Sequence, residues 1–276
     1  PPGPLVSLRE IVRRAMPPDE VGSKAALIAQ FSASGAPTMP GWVLRAKVFD
    51  RAARKAGFVP DATAPPSAAL ARLTVPRREL KLAYAALRAM TGQRFMIRSS
   101  FGDEDTAVAA APGIYASEVW SRDEGAAGLN EAILRVWRSY YAAHAVQYRR
   151  TLPPGRPARL AILFQPECAH QRTGVVASAD VIFERRDRHL VDVLDDTAAW
   201  SGTHDLLIDN VMACPGSDPI FALDETAVRR LSQLAGAAER LVGRSAEVEW
   251  GLNDGRVTVY QARGITGAAL ARTVTN

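Results

Sequence analysis

The sequence predicts an α+β protein, as one large domain or as two lobes, on three observations. Stretches with apolar residues at helical spacing, clearest over Glu131 to Arg150 and Leu223 to Val242, are interspersed with runs that read as strands. These are Arg94 to Ser100, Leu160 to Gln165 and the two halves of Ala246 to Arg263. The chain has 276 residues, 47% of them apolar, enough for one large core or two smaller ones. The Pro-rich stretch Pro153 to Pro157 reads as the connector between lobes.

Composition excludes several classes of function. The longest apolar runs, Leu160 to Phe164 and Gly174 to Ala179, are far short of the roughly 20 residues of a membrane span. No charged, apolar, small-residue leader opens the sequence, so a cytoplasmic protein without a membrane partner is expected. The net charge is +5, but the arginine pairs at 77–78, 149–150 and 185–186 are scattered and lack interleaved aromatics, which argues against nucleic acid as a partner. Cys168 and Cys214 have neither metal-binding nor disulfide spacing and read as two buried thiols. Only four of the 34 basic residues are lysine. In a chain that nearly always uses arginine, a retained lysine such as Lys24 suits a place that needs a compact point charge.

Residues 1–20 are expected to form an N-terminal extension, with a disordered Pro1 to Pro4 and a short helix from Ser7 to Ala15 capped by Ser7. Pro17 and Pro18 stop that helix near Met16. A second helix follows Gly22, carries Lys24 in its first turn and runs to about Ser34 before Gly35 and Pro37. Free N–H groups and the helix dipole favour an anion at such a start, although a lone Gly-x-Lys also fits a turn with a surface lysine.

Phe49 to Phe58 and Arg78 to Met90 read as structural helices joined by a Pro/Ala linker from Pro60 to Ala68. The strand Arg94 to Ser100 opens into a loop from Phe101 to Gly113, rich in small residues. The loop suits closure over a triphosphate, and equally a solvated acidic turn. Glu131 to Arg150 reads as one amphipathic helix with Ile133, Trp137, Tyr140, Tyr141, His144 and Tyr148 inward. Asp195, Asp196, His204 and Asp205 are either an acceptor-handling or second metal set, or a solvated acidic turn, which is the favoured reading. In the last long helix Val228, Leu231, Leu234, Ala235, Ala238 and Leu241 face inward.

That helix delivers the chain to a hairpin. Glu247 to Trp250 alternates polar and apolar, Asn253, Asp254 and Gly255 are turn residues, and Arg256 to Arg263 alternates again. Period two puts Val257, Val259 and Gln261 on one face, with Arg263 after them. Placed across from Glu249, Gln261 would share a divalent cation with it, and Arg263 would reach a phosphate. An ordinary surface hairpin is the alternative.

The residues A-E-V-E-W…Y-Q-A-R-G-I-T resemble D-I-E-W…L-Q-A-R-P, the end of the ATP-binding domain in the phosphoenolpyruvate synthase and pyruvate phosphate dikinase family. Other blocks are similar in the same order. G-S-K-A-A-L resembles G-G-K-x-A-x-L, I-R-S-S…E-D…P-G-I-Y-A-S resembles V-R-S-S-A-T-A-E-D…A-G-Q-x-E-T, and T-G-V-V-A-S-A-D resembles S-G-V-x-F-T-x-D-P. The resemblance runs from Gly22 to Thr266 and implies an ATP-grasp-type two-lobed nucleotide-binding domain. Its N-lobe would be residues 21–157 and its C-lobe 158–266, with a tail at 267–276.

By the same resemblance Lys24, Arg98 and Arg263 would contact the phosphates and be catalytic, and Ser117 would replace a loop threonine. Gln165, Glu167 and Cys168 would read the adenine edge, and Glu249 and Gln261 would bind Mg2+. The implied activity is ATP-dependent phosphotransfer, to a histidine on a separate phosphohistidine-domain protein or to a small molecule. A non-catalytic nucleotide-binding module and a carboxylate–amine ligase are the alternatives. The sequence departs from the family at Ser23, Phe101, Gly102 and Gly264, and lacks its G-L-G-E between Glu184 and Ala213.

Overall fold

A computed structural model describes residues 2–60, 67–102, 113–151, 158–179, 185–194, 199–214 and 223–265. The chain divides into two compact units, Pro1–Ala29 with Pro40–Cys168, and Gln30–Met39 with Ala169–Asn276. Each unit is α+β and contains one antiparallel sheet.

In the first unit the strands are β1 (Leu5–Ser7), β2 (Trp42–Leu44), β3 (Arg94–Phe101), β4 (Ser117–Ser121) and β5 (Leu160–Pro166), ordered β1-β2-β5-β3-β4. One sheet face carries Phe95, Ile97, Phe101, Trp120, Leu160, Ile162 and Phe164 into the core. Helices α4 (Ala46–Ala56), α6 (Arg77–Ala89) and α7 (Gly125–Ser139) close that core with Phe49, Leu87, Ile133 and Trp137, and the short α2 (Pro18–Val21) and α5 (Ser67–Ala71) belong to the same unit. Strand β5, expected to open the second lobe, is buried along its whole length between β2 and β3. A wholly apolar run says that a strand is covered on both sides, not which sheet it enters. The expected boundary at 157–158 thus differs from the observed division after Cys168.

The expected extension is integrated as well. Strand β1 pairs with β2, and the Arg45 guanidinium donates to the carbonyls of Pro2 and Gly3 at 2.8 and 3.0 Å. Helix α1 (Leu8–Arg13) begins where predicted, with Ser7 and Glu10 in a capping box. The expected single helix from Glu131 breaks instead between α7 and α8 (Ala143–Arg149). At the break the Ser139 hydroxyl donates back to the Val136 carbonyl and accepts the Ala116 N–H, which offers the backbone an exit from the helix. His144, expected in the core, is exposed and lies 3.0 Å from the Ile114 carbonyl oxygen.

The second unit's strands are β6 (Arg172–Ala177), β7 (Arg188–Leu194), β8 (Ala199–Asp205), β9 (Asn210–Ala213), β10 (Ala246–Asn253) and β11 (Arg256–Gly264). They run β11-β10-β6-β7-β8-β9, every neighbour antiparallel. Helix α9 (Glu225–Val242) starts on an Asp224 cap, ends at left-handed Gly243 and lies against the sheet. Val228, Leu231, Ala235 and Ala238 are buried on it as expected, while Leu241 is exposed. The sheet rows Val248–Val176–Val191 and Trp250–Gly174–Val193 form the complementary apolar face.

A polar chain fastens α9 to this sheet. His189 and His204 are cross-strand neighbours, and the Ser232 hydroxyl of α9 lies 2.6 Å from one Nδ1 and 2.7 Å from the other. His204 Nε2 donates to Asp209 at 2.7 Å, so the Nδ1 of a neutral His204 accepts from Ser232. Ser232 in turn accepts from His189 Nδ1–H. Burial pushes the His189 pKa below the usual imidazole value, more than the Glu239 charge raises it. The folded unit therefore prefers neutral His189, while the unfolded chain takes up a proton near pH 6.5. Stability from this group is fully present above about pH 7.5 and declines as pH falls through about 6.5 toward the lower folded value. Thermal melts between pH 8 and pH 5 will show this decline, and His189→Gln will flatten it.

Candidate functional site

In the first unit the site is built on the join between β3 and the start of α3 (Ser23–Ala33). Gly22 has φ +81°, and a Cβ there would overlap the Ser100 backbone, so glycine is required for the approach. The Ser100 hydroxyl donates to the Val21 carbonyl and accepts the Ala25 N–H, both at 3.0 Å. Ser23 donates to the Phe101 carbonyl at 2.9 Å, and Lys24 Nζ donates to Ser99 Oγ at 3.3 Å. The two stretches read separately from the sequence as anion sites, around Lys24 and around Arg98-Ser99-Ser100, are therefore one physical unit.

Arg98 lies directly across from Ser117 on β4 and from Leu163 on β5. Phe95, Ile97, Ile162 and Phe164 face the core, so alternation places Met96, Arg98, Leu163 and Gln165 on the opposite face. Gln165 is 3% exposed, and its Nε2 has no hydrogen-bond partner among the described residues. Such an orphaned buried donor fits a site that offers an amide to a ligand acceptor.

The next residues expected at the adenine edge, Glu167 and Cys168, make local contacts. The Glu167 N–H donates to the Arg94 carbonyl at 2.9 Å and its carboxylate pairs with Arg94 at 2.6 Å, so this backbone donor is already engaged. Cys168 is exposed rather than buried, and partial desolvation together with the Glu167 charge pushes its thiol pKa up. The loop expected to close over phosphates falls mostly at 103–112, outside the described residues.

In the second unit the hairpin register sets Glu249 opposite Gln261 and Glu247 opposite Arg263. Trp250, however, pairs with Val259, so Tyr260 is the extra residue of a β-bulge. The sequence expectation that Val257, Val259 and Gln261 share a face is corrected by this bulge. Val257 and Val259 lie with Leu252 and Trp250, and Ala262 with Val248, on the apolar side; Gln261 and Arg263 lie with Glu249 and Glu247 on the other. Apolar residues at 257, 259 and 262 break period two, which is the sequence signal of the bulge.

Arg263 Nε donates to the Glu247 carboxylate in a close ion pair, both side chains mostly buried. Glu247 thus joins the candidate residues, signalled in the sequence by the E-x-E alternation. Glu249 and Gln261 offer a carboxylate and an amide oxygen from adjacent strands, hard donors that fit a cation keeping its other positions for water or phosphate. Among the described residues no group of three or more His, Cys, Asp or Glu is arranged to hold a metal ion.

Of the four residues considered as an acceptor set, Asp195 and Asp196 lie outside the described residues. His204 belongs to the Ser232 chain. Asp205 accepts the N–H groups of Leu207 and Ile208 at 3.0 and 3.4 Å and pairs with Arg188 at 3.3 Å. Both are engaged in local structure.

Residues 75–197 match the family described as pyruvate phosphate dikinase, AMP/ATP-binding domain. The matched segment contains Arg98, Ser117, Gln165, Glu167 and Cys168, while Lys24 and the hairpin fall outside it. No helix among the described residues is long and apolar enough to cross a membrane. A search of curated proteins finds no match. Among solved structures, D-alanine–D-alanine ligase from Coxiella burnetii aligns with 12% identity and a TM-score of 0.37, covering 88% of this chain and 55% of that one. The ligase from Helicobacter pylori aligns with 12% identity and a TM-score of 0.34, covering 69% and 44%. The chain thus spans about half the length of these ligases.

The β3–α3 join gives a direct test. Ser100→Ala removes the partner of two backbone groups at once, and unmet buried groups cost about 1–3 kcal/mol each. Denaturant unfolding will show a loss of at least about 1 kcal/mol, with less loss for Ser100→Thr.

Proposed function

We propose that this chain is the nucleotide-binding part of an ATP-dependent phosphotransferase that takes Mg-ATP. The observation that carries the reading is the match of residues 75–197 to an AMP/ATP-binding domain, because Arg98, Ser117 and Gln165 all fall in it. Lys24 and Arg98 supply cationic groups suited to phosphates, with Ser117 beside Arg98 across the strand pair. Gln165 supplies a buried amide suited to the base. Glu249 and Gln261 would hold magnesium, and Arg263, steadied by Glu247, adds a planar cation to the same sheet face.

Bound magnesium would neutralise phosphate charge and orient the transferring group. The chain's own residues bind and position; phosphoryl transfer demands little covalent help from protein. The acceptor is a histidine of a separate phosphohistidine-domain protein or a small molecule. In the first case transfer of a pyrophosphoryl group to the histidine leaves AMP, the product that the resemblance implies, and in the second transfer of one phosphoryl group leaves ADP.

Calorimetric titration of ATP, with magnesium and with a chelator, is expected to show magnesium-dependent binding. Glu249→Ala and Gln261→Ala will each weaken it by about tenfold or more, equivalent to ~1.4 kcal/mol, and circular dichroism will remain that of the parent. Absence of ATP binding under both conditions overturns the reading.

A further inference from the structure

The bulge at Tyr260 is what turns Gln261 toward Glu249, and three features hold it in place. The first is the outer edge of β11: Val259 N–H donates to the Pro37 carbonyl at 2.8 Å, and Met39 N–H donates to the Val259 carbonyl at 3.1 Å. The residue before the bulge is thereby clamped by a second segment of chain. The second is the Tyr260 hydroxyl, which is hydrogen-bonded to His170 Nδ1, with the two rings edge to face at 5.2 Å.

The third is Gly251. A Cβ at that position would stand 2.6 Å from His170 Cγ and 2.7 Å from its Cδ2, and closer still to the Tyr260 hydroxyl. The missing side chain is the space that the pair occupies. Gly251 follows Glu249 by two residues on β10, so the pair lies one pleat along the same sheet face.

His170 is itself held. Gln171 N–H lies 2.7 Å from Asn253 Oδ1 and 3.1 Å from the Leu252 carbonyl. The Gln171 amide and Asp254 exchange two hydrogen bonds of 3.1 Å, and Asn253 donates to the Ala169 carbonyl at 3.0 Å. Residues 169–171 are thus fastened to the end of the hairpin whose bulge His170 secures. A bulge is a local choice of register, and a slip by one residue sends the next side chain to the opposite face. Without an anchor on Tyr260, β11 would be able to continue in regular alternation from Val259, which turns Gln261 toward the Trp250 face.

We infer that His170 and Tyr260 are positioning residues that lock the bulge and so hold the Gln261 amide across from Glu249 for the cation of the proposed Mg-ATP reading, on which this inference rests. The lock acts on cation binding. It predicts a loss of magnesium response without loss of fold or of whatever ATP affinity persists in chelator.

The test compares wild type, Tyr260→Phe, His170→Leu and His170→Gln. The glutamine keeps an acceptor for the tyrosine hydroxyl; the leucine does not. For each protein, ATP binding is titrated against magnesium, alongside the melting temperature, ATP binding in chelator, and amide hydrogen exchange across 259–263. Tyr260→Phe and His170→Leu are expected to need at least about fivefold more magnesium for half-maximal ATP binding, with faster exchange at 260–262. His170→Gln is expected to lie near wild type, with melting temperatures and chelator values unchanged in all.

A wild-type magnesium response in Tyr260→Phe overturns the inference and leaves the Mg-ATP reading standing. A lowered melting temperature with a parallel loss of ATP binding in chelator assigns the pair a merely structural role and also overturns it. A wild-type protein with no magnesium-dependent binding overturns the Mg-ATP reading, and the inference with it.

Discussion

A sheet with one face against a helix has only one other face for chemistry, and β11 must serve both. Val257 and Val259 complete the apolar side with Trp250, while Gln261 and Arg263, at the same parity, stand beside Glu249 and Glu247 on the polar side. Perfect alternation forbids that assignment. One extra residue, Tyr260, permits it, and Ala262 then falls back opposite Val248 where the apolar side resumes. The polar composition of this face in the second unit depends on that single departure from regular pairing.

The first unit meets a similar demand differently. Its sheet also has one face given to the helical core, and the other carries Arg98 and Gln165. Here the long-range constraint is the seat of α3: Ser99 and Ser100 satisfy groups in a segment about 75 positions earlier in the chain. A serine in mid-strand is a poor core residue, but two adjacent serines at a strand end meet the orphan donors and acceptors of a helix start. The bland composition of R-S-S conceals its structural work, because a hydroxyl reveals its partner only when the chain has folded.

Legibility in the sequence tracks locality. The Ser7 cap, the Asn253 to Gly255 turn and the pairing of Glu249 with Gln261 are all set within a few residues or one tight hairpin. The misplaced features depend on distant partners. Strand β5 is buried throughout and apolar from Leu160 to Phe164, and nothing in that run distinguishes the sheet of the first unit from that of the second. His144 shares the helical spacing of Trp137 and Tyr140, but the break around Ser139 rotates α8 out of that register, and the imidazole ends at the surface. Cys168 reads as a buried thiol, yet the chain turns away after β5 and leaves it exposed. The ion pair of Arg263 with Glu247 required knowing the bulge, which a strict period of two conceals.

The distribution of charge bears on why these positions hold these residues. Lys24 sits in the first turn of α3, where the helix dipole disfavours a cation, and its ammonium reaches the strand end next to Arg98. Like charges at a positive helix end cost stability unless an anion offsets them. On the second unit's polar face the balance has the other sign, since Glu247 and Glu249 present two carboxylates beside the guanidinium of Arg263. Each face is thus suited to a charge of the opposite sign at its own place: an anion beside Lys24 in the first unit, and a cation beside Glu249 in the second.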